Sequence, residues 1–459
     1  MKKHVLIILA VLFCGTIFAQ VFDTIMLHNT GPTDKRINLV IMGDGYQASE
    51  QDKFIIDATG LKNYLFTTVP YSNYAEYFNV IAVKVISNES GIKHPATATD
   101  VIEPVFPVSN PDTYFETTFD YQDIHRCIYT SNTNLTTQVL AANTPFFDIA
   151  VVVANTTEYG GCAGTYAYFS AHANAKDIFI HEIGHSFANL ADEYWFASTS
   201  ERPNKTQVGS PSTNKWKNWI GTNGVDIYPF TEDPTWYRPH QNCEMRYLGM
   251  GYCSVCREAT VERIHQLQGP IEGFSPSSSL LQMGTIDLDF EISLIFPNPN
   301  TLEFSWELNG VEINTSSTNI TVTANDLVDG LNTLNYSVVD NTPLVRTDNH
   351  ETIHLNTVTW QINKSGLGIE EIQAKESSFV LFPNPSTDMV YLKSNQKSNG
   401  NLTFELVSIS GQVLKKVILS PDASQTFSFK MGDVETATYL LNVYDANGSK
   451  LYTHRLVKR

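Results

Sequence analysis

The sequence predicts an α/β (α+β) layered domain followed by two small all-β sandwich domains. Three observations carry this reading. Between Gln20 and about Gln268, apolar β-rich runs alternate with stretches of helical spacing. After about Pro270 the helical periodicity ends, and short runs rich in Ser, Thr, Asn and Leu take over. A polar, glycine-containing segment at 364–378 then divides the β-rich part in two. Alternating strands and helices bury their apolar faces by layering helices on a sheet. Closely spaced short strands bury theirs face to face in a sandwich.

The elements follow in order. Met1-Lys2-Lys3-His4, an apolar run from Val5 to Leu12 and the closing Ala19-Gln20 describe a secretory signal peptide over 1–19. The run is too short to span a bilayer. Cys14 offers a lipid-anchor alternative, but bulky Phe13 precedes it where a small residue is expected. No later stretch has the apolar length of a transmembrane segment, so none is expected. In the domain over 20–268, Ile37 to Met42 reads as a strand running into the turn Gly43-Asp44-Gly45. Ser49 to about Phe66 has helical spacing with Ser49 as N-cap. Phe78 to Ile86 is a second strand. Phe147 to Ala154 is a third, apolar throughout and therefore expected to be buried on both faces. In the sandwich over 269–363, strands are expected at Leu302–Leu308, Ile320–Ala324, Thr333–Val339 and Glu351–Ile362, with Phe296-Pro297-Asn298-Pro299 as a turn. The 364–378 segment reads as a linker, and 379–459 as the second sandwich.

The 459-residue chain carries 30 Lys+Arg against 48 Asp+Glu, a formal net charge of −18. Such a surface repels nucleic acid and anionic lipid, so no nucleic-acid partner is expected. Without Cys14, five cysteines remain: Cys127, Cys162, Cys243, Cys253 and Cys256. An odd count in an exported protein leaves at least one thiol unpaired. Cys253-Ser254-Val255-Cys256 resembles half a zinc knuckle, which needs a second ligand pair, and only Cys243 is near in sequence. A structural disulfide among these three is the favoured expectation.

The chemistry centres on His181-Glu182-Ile183-Gly184-His185, within a stretch from Asn174 to Leu190 that reads as one helix with Asp177 near its start. Four-residue spacing stacks the two imidazoles on one helix face, where they can grip one Zn2+ ion. Glu182 is rotated by about 100° and can reach a water on that metal. A catalytic zinc keeps an open position for water, whose pKa falls towards 7, and a carboxylate can take that water's proton. Three protein ligands are needed. Asp192 lies seven residues past His185, about 10 Å further along a continuous helix, so the chain must turn back to use it.

The pattern resembles the metzincin proteases, which turn at a glycine three residues after the second histidine and take the third ligand three residues beyond. Here Ala188 holds that position, and Asn189, the next-best residue for a left-handed turn, follows it. A turn at Asn189 makes Asp192 the third ligand, with Glu193 as the alternative. Cys243-Glu244-Met245-Arg246-Tyr247 resembles the metzincin Met-turn. That resemblance implies Met245 as a floor beneath the histidines and Tyr247 as a hydrogen-bond donor to the tetrahedral intermediate.

Gly43-Asp44-Gly45-Tyr46, Phe78-Asn79-Val80, Tyr159 to Gly164, His181 to Tyr194 and Cys253 to Glu258 occur in the order of the bacterial IgA-peptidase family of metalloproteases. The resemblance covers roughly Val21 to Gln268. It implies His181, His185 and Asp192 as zinc ligands, Glu182 as catalytic base, and a protein or peptide substrate. The stretch Gly160 to Tyr166 is either the strand that borders a metzincin cleft or a tight loop. The last unit opens with Leu381-Phe382-Pro383-Asn384-Pro385-Ser386, continues through Val407 to Val413 and Tyr439 to Tyr444, and ends on the basic Arg455–Arg459. It resembles the C-terminal sorting domain of the type IX secretion system. That implies the type IX machinery as partner and a secreted or cell-surface location. The reading that competes with a zinc endopeptidase is a non-catalytic adhesin or glycan- or protein-binding module on a protease-like fold. The intact Glu182 favours the enzyme.

Overall fold

The computed structural model describes residues 20–195, 199–284, 286–364, 379–394, 400–408, 412–432, 434–446 and 448–459. The expected signal peptide (1–19), and the expected linker beyond Lys364, lie outside the described residues. The fold is mixed α and β, and it divides into two compact units, Met1–Ser365 and Gly366–Arg459.

The first unit opens with a six-stranded sheet. Its strands are β1 (Thr24–His28), β2 (Ile37–Asp44), β3 (Phe78–Val83), β4 (Ile149–Ala154), β5 (Gly161–Ala163) and β6 (Ala167–Ser170). They lie in the order β1-β3-β2-β4-β6-β5. The four inner strands run parallel, and the two edges, β1 and β5, are antiparallel to their neighbours. Every residue of β2, β3 and β4 is buried, as parallel strands covered on both faces require. Alternate side chains divide between two cores. Leu39 and Ile41 face the helices α1 (Gln51–Leu65), α3 (Ala175–Ser186) and α4 (Ser254–Leu267), while Val40 and Met42 face α2 (Thr133–Asn143). A short ladder, β7 (Tyr228–Pro229) with β8 (Tyr237–Arg238), lies in the long connection between α3 and α4.

Strand ends differ from expectation by a few residues, as in β3, which stops at Val83 rather than Ile86, and the helices α1 and α3 are both shorter than expected. The α1 helix starts at Gln51, not Ser49, because a short 3-10 turn precedes it, closed by a reciprocal capping box between Gln47 and Glu50. The α3 helix ends at Ser186 rather than Leu190.

The remainder of this unit is a β-sandwich. One sheet joins β9 (Ile271–Ser275), β11 (Leu288–Leu294) and β14 (Asn319–Val322). The other joins β10 (Leu280–Gln282), β12 (Leu302–Leu308), β13 (Val311–Asn314), β15 (Gly330–Asp340) and β16 (Asn356–Lys364). Trp306, Tyr336 and Trp360 fill the space between the sheets. The expected Glu351–Ile362 strand is instead a helical turn, α5 (His350–Ile353), followed by β16. Its exception has a partner: Glu262 of α4 accepts hydrogen bonds from His350 and His354, both at 2.7 Å. Tyr74 and His265 converge on Asp340, and Tyr77 reaches the Ile295 carbonyl. This buried polar seam explains why the sandwich is continuous with the preceding helices in one compact unit.

The second unit is itself a β-sandwich, with β17 (Phe379–Phe382), β18 (Met389–Ser394) and β21 (Thr426–Lys430) facing β19 (Leu402–Ser408), β20 (Val413–Leu419), β22 (Thr438–Tyr444) and β23 (Lys450–Val457). Phe404, Phe427, Phe429 and Leu441 form its core.

Candidate metal centre and active site

The site grows from where α3 stops. Asn189 adopts φ 57°, a left-handed conformation that Asn tolerates better than other non-glycine residues. The Leu190 N–H turns back to the Gly184 carbonyl at 3.0 Å and closes the helix end. The side chain of Arg202 caps the Asn189 side chain. The following loop is fixed through Asn204, which pairs with both the N–H and the carbonyl of Ala191 at 2.7 and 2.8 Å. This reversal carries Asp192 back onto the histidine face.

There Asp192 Oδ1 lies 3.1 Å from His181 Nε2 and 3.2 Å from His185 Nε2, and the two Nε2 atoms are 3.1 Å apart. Each ring is oriented from behind. His181 Nδ1 donates to the Glu244 carbonyl at 3.0 Å, and His185 Nδ1 to the Leu190 carbonyl at 2.8 Å. These bonds place the proton on Nδ1 and leave both Nε2 lone pairs aimed at one point. Ligands about 2.0–2.1 Å from a tetrahedral zinc are roughly 3.3 Å apart, so the triangle fits one face of such a polyhedron. Two converging lone pairs and a carboxylate call for a cation. Burial opposes charge on His181, but Asp192, Glu182 and the Glu244 carbonyl outweigh it and raise its pKa to about 9, so without a metal a proton on Nε2 takes the cation's place. Burial likewise disfavours the Asp192 anion, but the two histidines hold its carboxyl well below the usual range.

Glu182 is buried beside this triangle, and burial raises its pKa against the opposing pull of both histidines. It shares with His181 a cavity of about 330 Å³ whose walls include Arg126, Tyr159, Gly161 and Tyr194. A larger cavity, about 540 Å³ beside Asn189, Lys215 and Glu262, contains none of the converging groups. Chemistry rather than size therefore singles out the first. Gly161–Ala163 form the edge strand β5 beside the cavity, and Gly164–Tyr166 are the tight turn that joins it to β6, so the stretch combines both expected forms. A Cβ on Gly161 would lie 2.6 Å from Ile178, so the glycine lets the edge strand lie directly on α3.

Met245 is fully buried, and its Sδ would sit 2.6 Å from a Cβ on Gly184, which places it against α3 between the histidines. Tyr247 is half exposed, with its ring under the Arg246 guanidinium, and is not among the cavity's walls. The phenol beside the histidines is that of Tyr194, whose ring centre lies 6.3 Å from that of His181. Sequence reasoning quoted Tyr194 only as part of a string; its position depends on the Asn189 turn.

Glu193 points the other way, into a buried pocket with Cys243, Cys253 and Cys256. The expectation of a disulfide within that cysteine trio is not met. Cys127 and Cys162 form the disulfide, joining β5 to the loop before α2, and the three remaining cysteines are thiols. The two partners are 35 residues apart, so spacing gave no signal for the pairing.

Residues 25–233 match the IgA Peptidase M64 family. The matched region takes in the histidine helix and Asp192 and ends before Met245 and the cysteine trio. Residues 380–459 match the secretion system C-terminal sorting domain, which indicates type IX export to the cell surface or the medium. No helix among the described residues is long and apolar enough to cross a membrane. No curated protein matches the chain. Solved structures with partial likeness include the Bacteroides ovatus mixed-linkage glucan utilization protein SGBP-B, at 13% identity and TM-score 0.16, covering 39% of this chain and 42% of that one. Another is the fibronectin(III)-like modules of Clostridium thermocellum CbhA, at 12% identity and TM-score 0.15, covering 40% of this chain and 93% of theirs. At these scores the likenesses carry no argument about the site. The chain spans less than half the length of the first of these structures.

Proposed function

We propose that the chain is an exported zinc-dependent endopeptidase of metzincin-like design, with the catalytic domain over 20–268 followed by the sandwich over 269–363. The observation that carries this is the convergence of His181 Nε2, His185 Nε2 and Asp192 Oδ1 within 3.2 Å beside the buried carboxyl of Glu182. A zinc ion held by those three atoms would supply Lewis-acid polarisation of a water and of the scissile carbonyl. Glu182 takes the proton from the attacking water and returns it to the departing amine. Its burial beside the triangle positions it to hold that proton between the two steps. The Glu244 and Leu190 carbonyls keep the imidazoles in the metal-binding tautomer. Tyr194, a half-exposed phenol on the cavity wall with its ring centre 6.3 Å from that of His181, takes the hydrogen-bonding role at the developing oxyanion that the metzincin resemblance gave to Tyr247. The edge strand β5 provides an antiparallel rim on which an extended peptide can lie. The test is incubation of the purified protein with a diverse peptide pool, with and without a zinc chelator. Cleavage that chelation abolishes and zinc restores is expected. Cleavage insensitive to chelation, or none with zinc bound, refutes the proposal.

A further inference from the structure

Behind the candidate active site lies a second convergence of ligating groups. Glu193, Cys243 and Cys256 are fully buried and Cys253 is 7% exposed, and one ligand atom from each lies within 4.8 Å of all the others. Cys243 Sγ is 3.6 Å from Cys256 Sγ, which in turn is 3.5 Å from a Glu193 oxygen. A tetrahedral zinc with Zn–S of about 2.3 Å and Zn–O of about 2.0 Å sets S···S and S···O edges of roughly 3.8 and 3.5 Å. These two edges match those of such a tetrahedron, and the other four lie within 4.8 Å.

The carboxylate supplies an independent observation. One Glu193 oxygen accepts from Asn204 Nδ2 at 2.9 Å, while the other is buried with no hydrogen-bond partner. No ion pair to Glu193 is found among the described residues, although Arg238 lies within electrostatic reach. A buried carboxyl left half satisfied among three sulfurs is costly unless a cation or further donors complete it.

We propose that Glu193, Cys243, Cys253 and Cys256 form a second zinc site, a closed Cys3Glu tetrahedron with a structural role. Binding displaces the three thiol protons to solvent, and four protein ligands leave no open position for water. The ion would tie together three segments that serve the catalytic centre. Glu193 adjoins Asp192, and its N–H donates to the Met245 carbonyl at 2.7 Å. Cys243 precedes Glu244, whose carbonyl orients His181. Cys253 and Cys256 open α4. The site thus holds both the returning loop and the Met-turn in register with α3.

The experiment uses the full chain and a His181→Ala/His185→Ala double variant, which dismantles the first site without touching the second. Metal analysis is expected to find about two zinc ions per parent chain and about one in the double variant. Cobalt loading of the double variant should give strong thiolate-to-cobalt charge-transfer absorption, which a histidine–carboxylate site cannot produce. If the catalytic site holds no zinc, parent and double variant contain equal zinc and both keep the thiolate signature. A double variant without metal, or cobalt bound without thiolate absorption, overturns the proposal. So does alkylation of the denatured, unreduced protein that finds only one reactive cysteine, because two of the three would then be joined as a disulfide.

Discussion

Gly184→Ala tests whether the Met-turn presses on the histidine helix. In an ordinary helix interior this change stabilises by about 1 kcal/mol, because glycine loses more backbone entropy on folding. Here a Cβ would meet Met245 Sδ at 2.6 Å and the Tyr252 hydroxyl at 2.9 Å, where ordinary contacts are about 3.5–4.0 Å. Neither neighbour yields easily. Met245 is fully buried, and Tyr252 is anchored by its hydrogen bond to the Ile180 carbonyl. Overpacking of this kind costs about 1–3 kcal/mol, so the net effect is a loss of about 1 kcal/mol. Gly60 in α1 is the internal control, since nothing lies within 4 Å of its added Cβ. Denaturant midpoints of both variants, with zinc retention measured against a competing chelator, give the comparison. Gly60→Ala should stabilise, and Gly184→Ala should destabilise and surrender zinc sooner. If Gly184→Ala gains stability as Gly60→Ala does, Met245 does not support the helix.

Three further outcomes are expected. Asp192→Ala should remove the zinc that catalysis needs while Asp192→Glu retains part of it; metal analysis showing full zinc in Asp192→Ala would reject Asp192 as the third ligand. Tyr194→Phe should lower kcat by roughly tenfold or more with zinc unchanged, whereas Tyr247→Phe should change it little; steady-state kinetics showing the reverse order would return the role to Tyr247. Glu262 governs acid stability: burial raises its pKa, but hydrogen bonds from His350 and His354 outweigh this and lower it from 4.5 to about 2. A depressed carboxyl contributes stability that is fully present above the unfolded value and is lost as pH falls through the folded one. The window is therefore pH 4.5 down to about 2, and the contribution is about 3 kcal/mol. Acid denaturation of Glu262→Gln should show a correspondingly shallower loss across that window, and an unchanged profile would exclude the clamp.

Local chemistry was the legible part. The spacing of His181 and His185 determines a shared helix face whatever surrounds it. Asn189 announced the turn that returns Asp192, because few other residues adopt positive φ at so little strain. The apolar runs of β2 and β4 announced strands, and that of β4 a strand covered on both faces. What escaped was decided mostly by contacts distant in sequence, the end of the histidine helix being the local exception. The helix ends at Ser186 because the Leu190 N–H finds the Gly184 carbonyl. The sandwich joins the preceding helices through Asp340 with His265 and through His350 and His354 with Glu262, residues that look like ordinary surface polars in a string. The cysteine pairing depended on which sulfurs the fold brings together, and the buried Glu193 that completes the other trio lies 50 residues before Cys243.

The most direct measurement of the central claim is peptide hydrolysis by Glu182→Gln with zinc content determined on the same sample. Glutamine preserves the shape of the buried side chain but cannot accept the proton of the attacking water. General bases contribute roughly a hundredfold to ten-thousandfold, so activity should fall by at least a hundredfold with zinc retained. A Glu182→Gln protein that keeps its zinc and cleaves within about tenfold of the parent would contradict the assignment of Glu182 as base and the peptidase mechanism built on it.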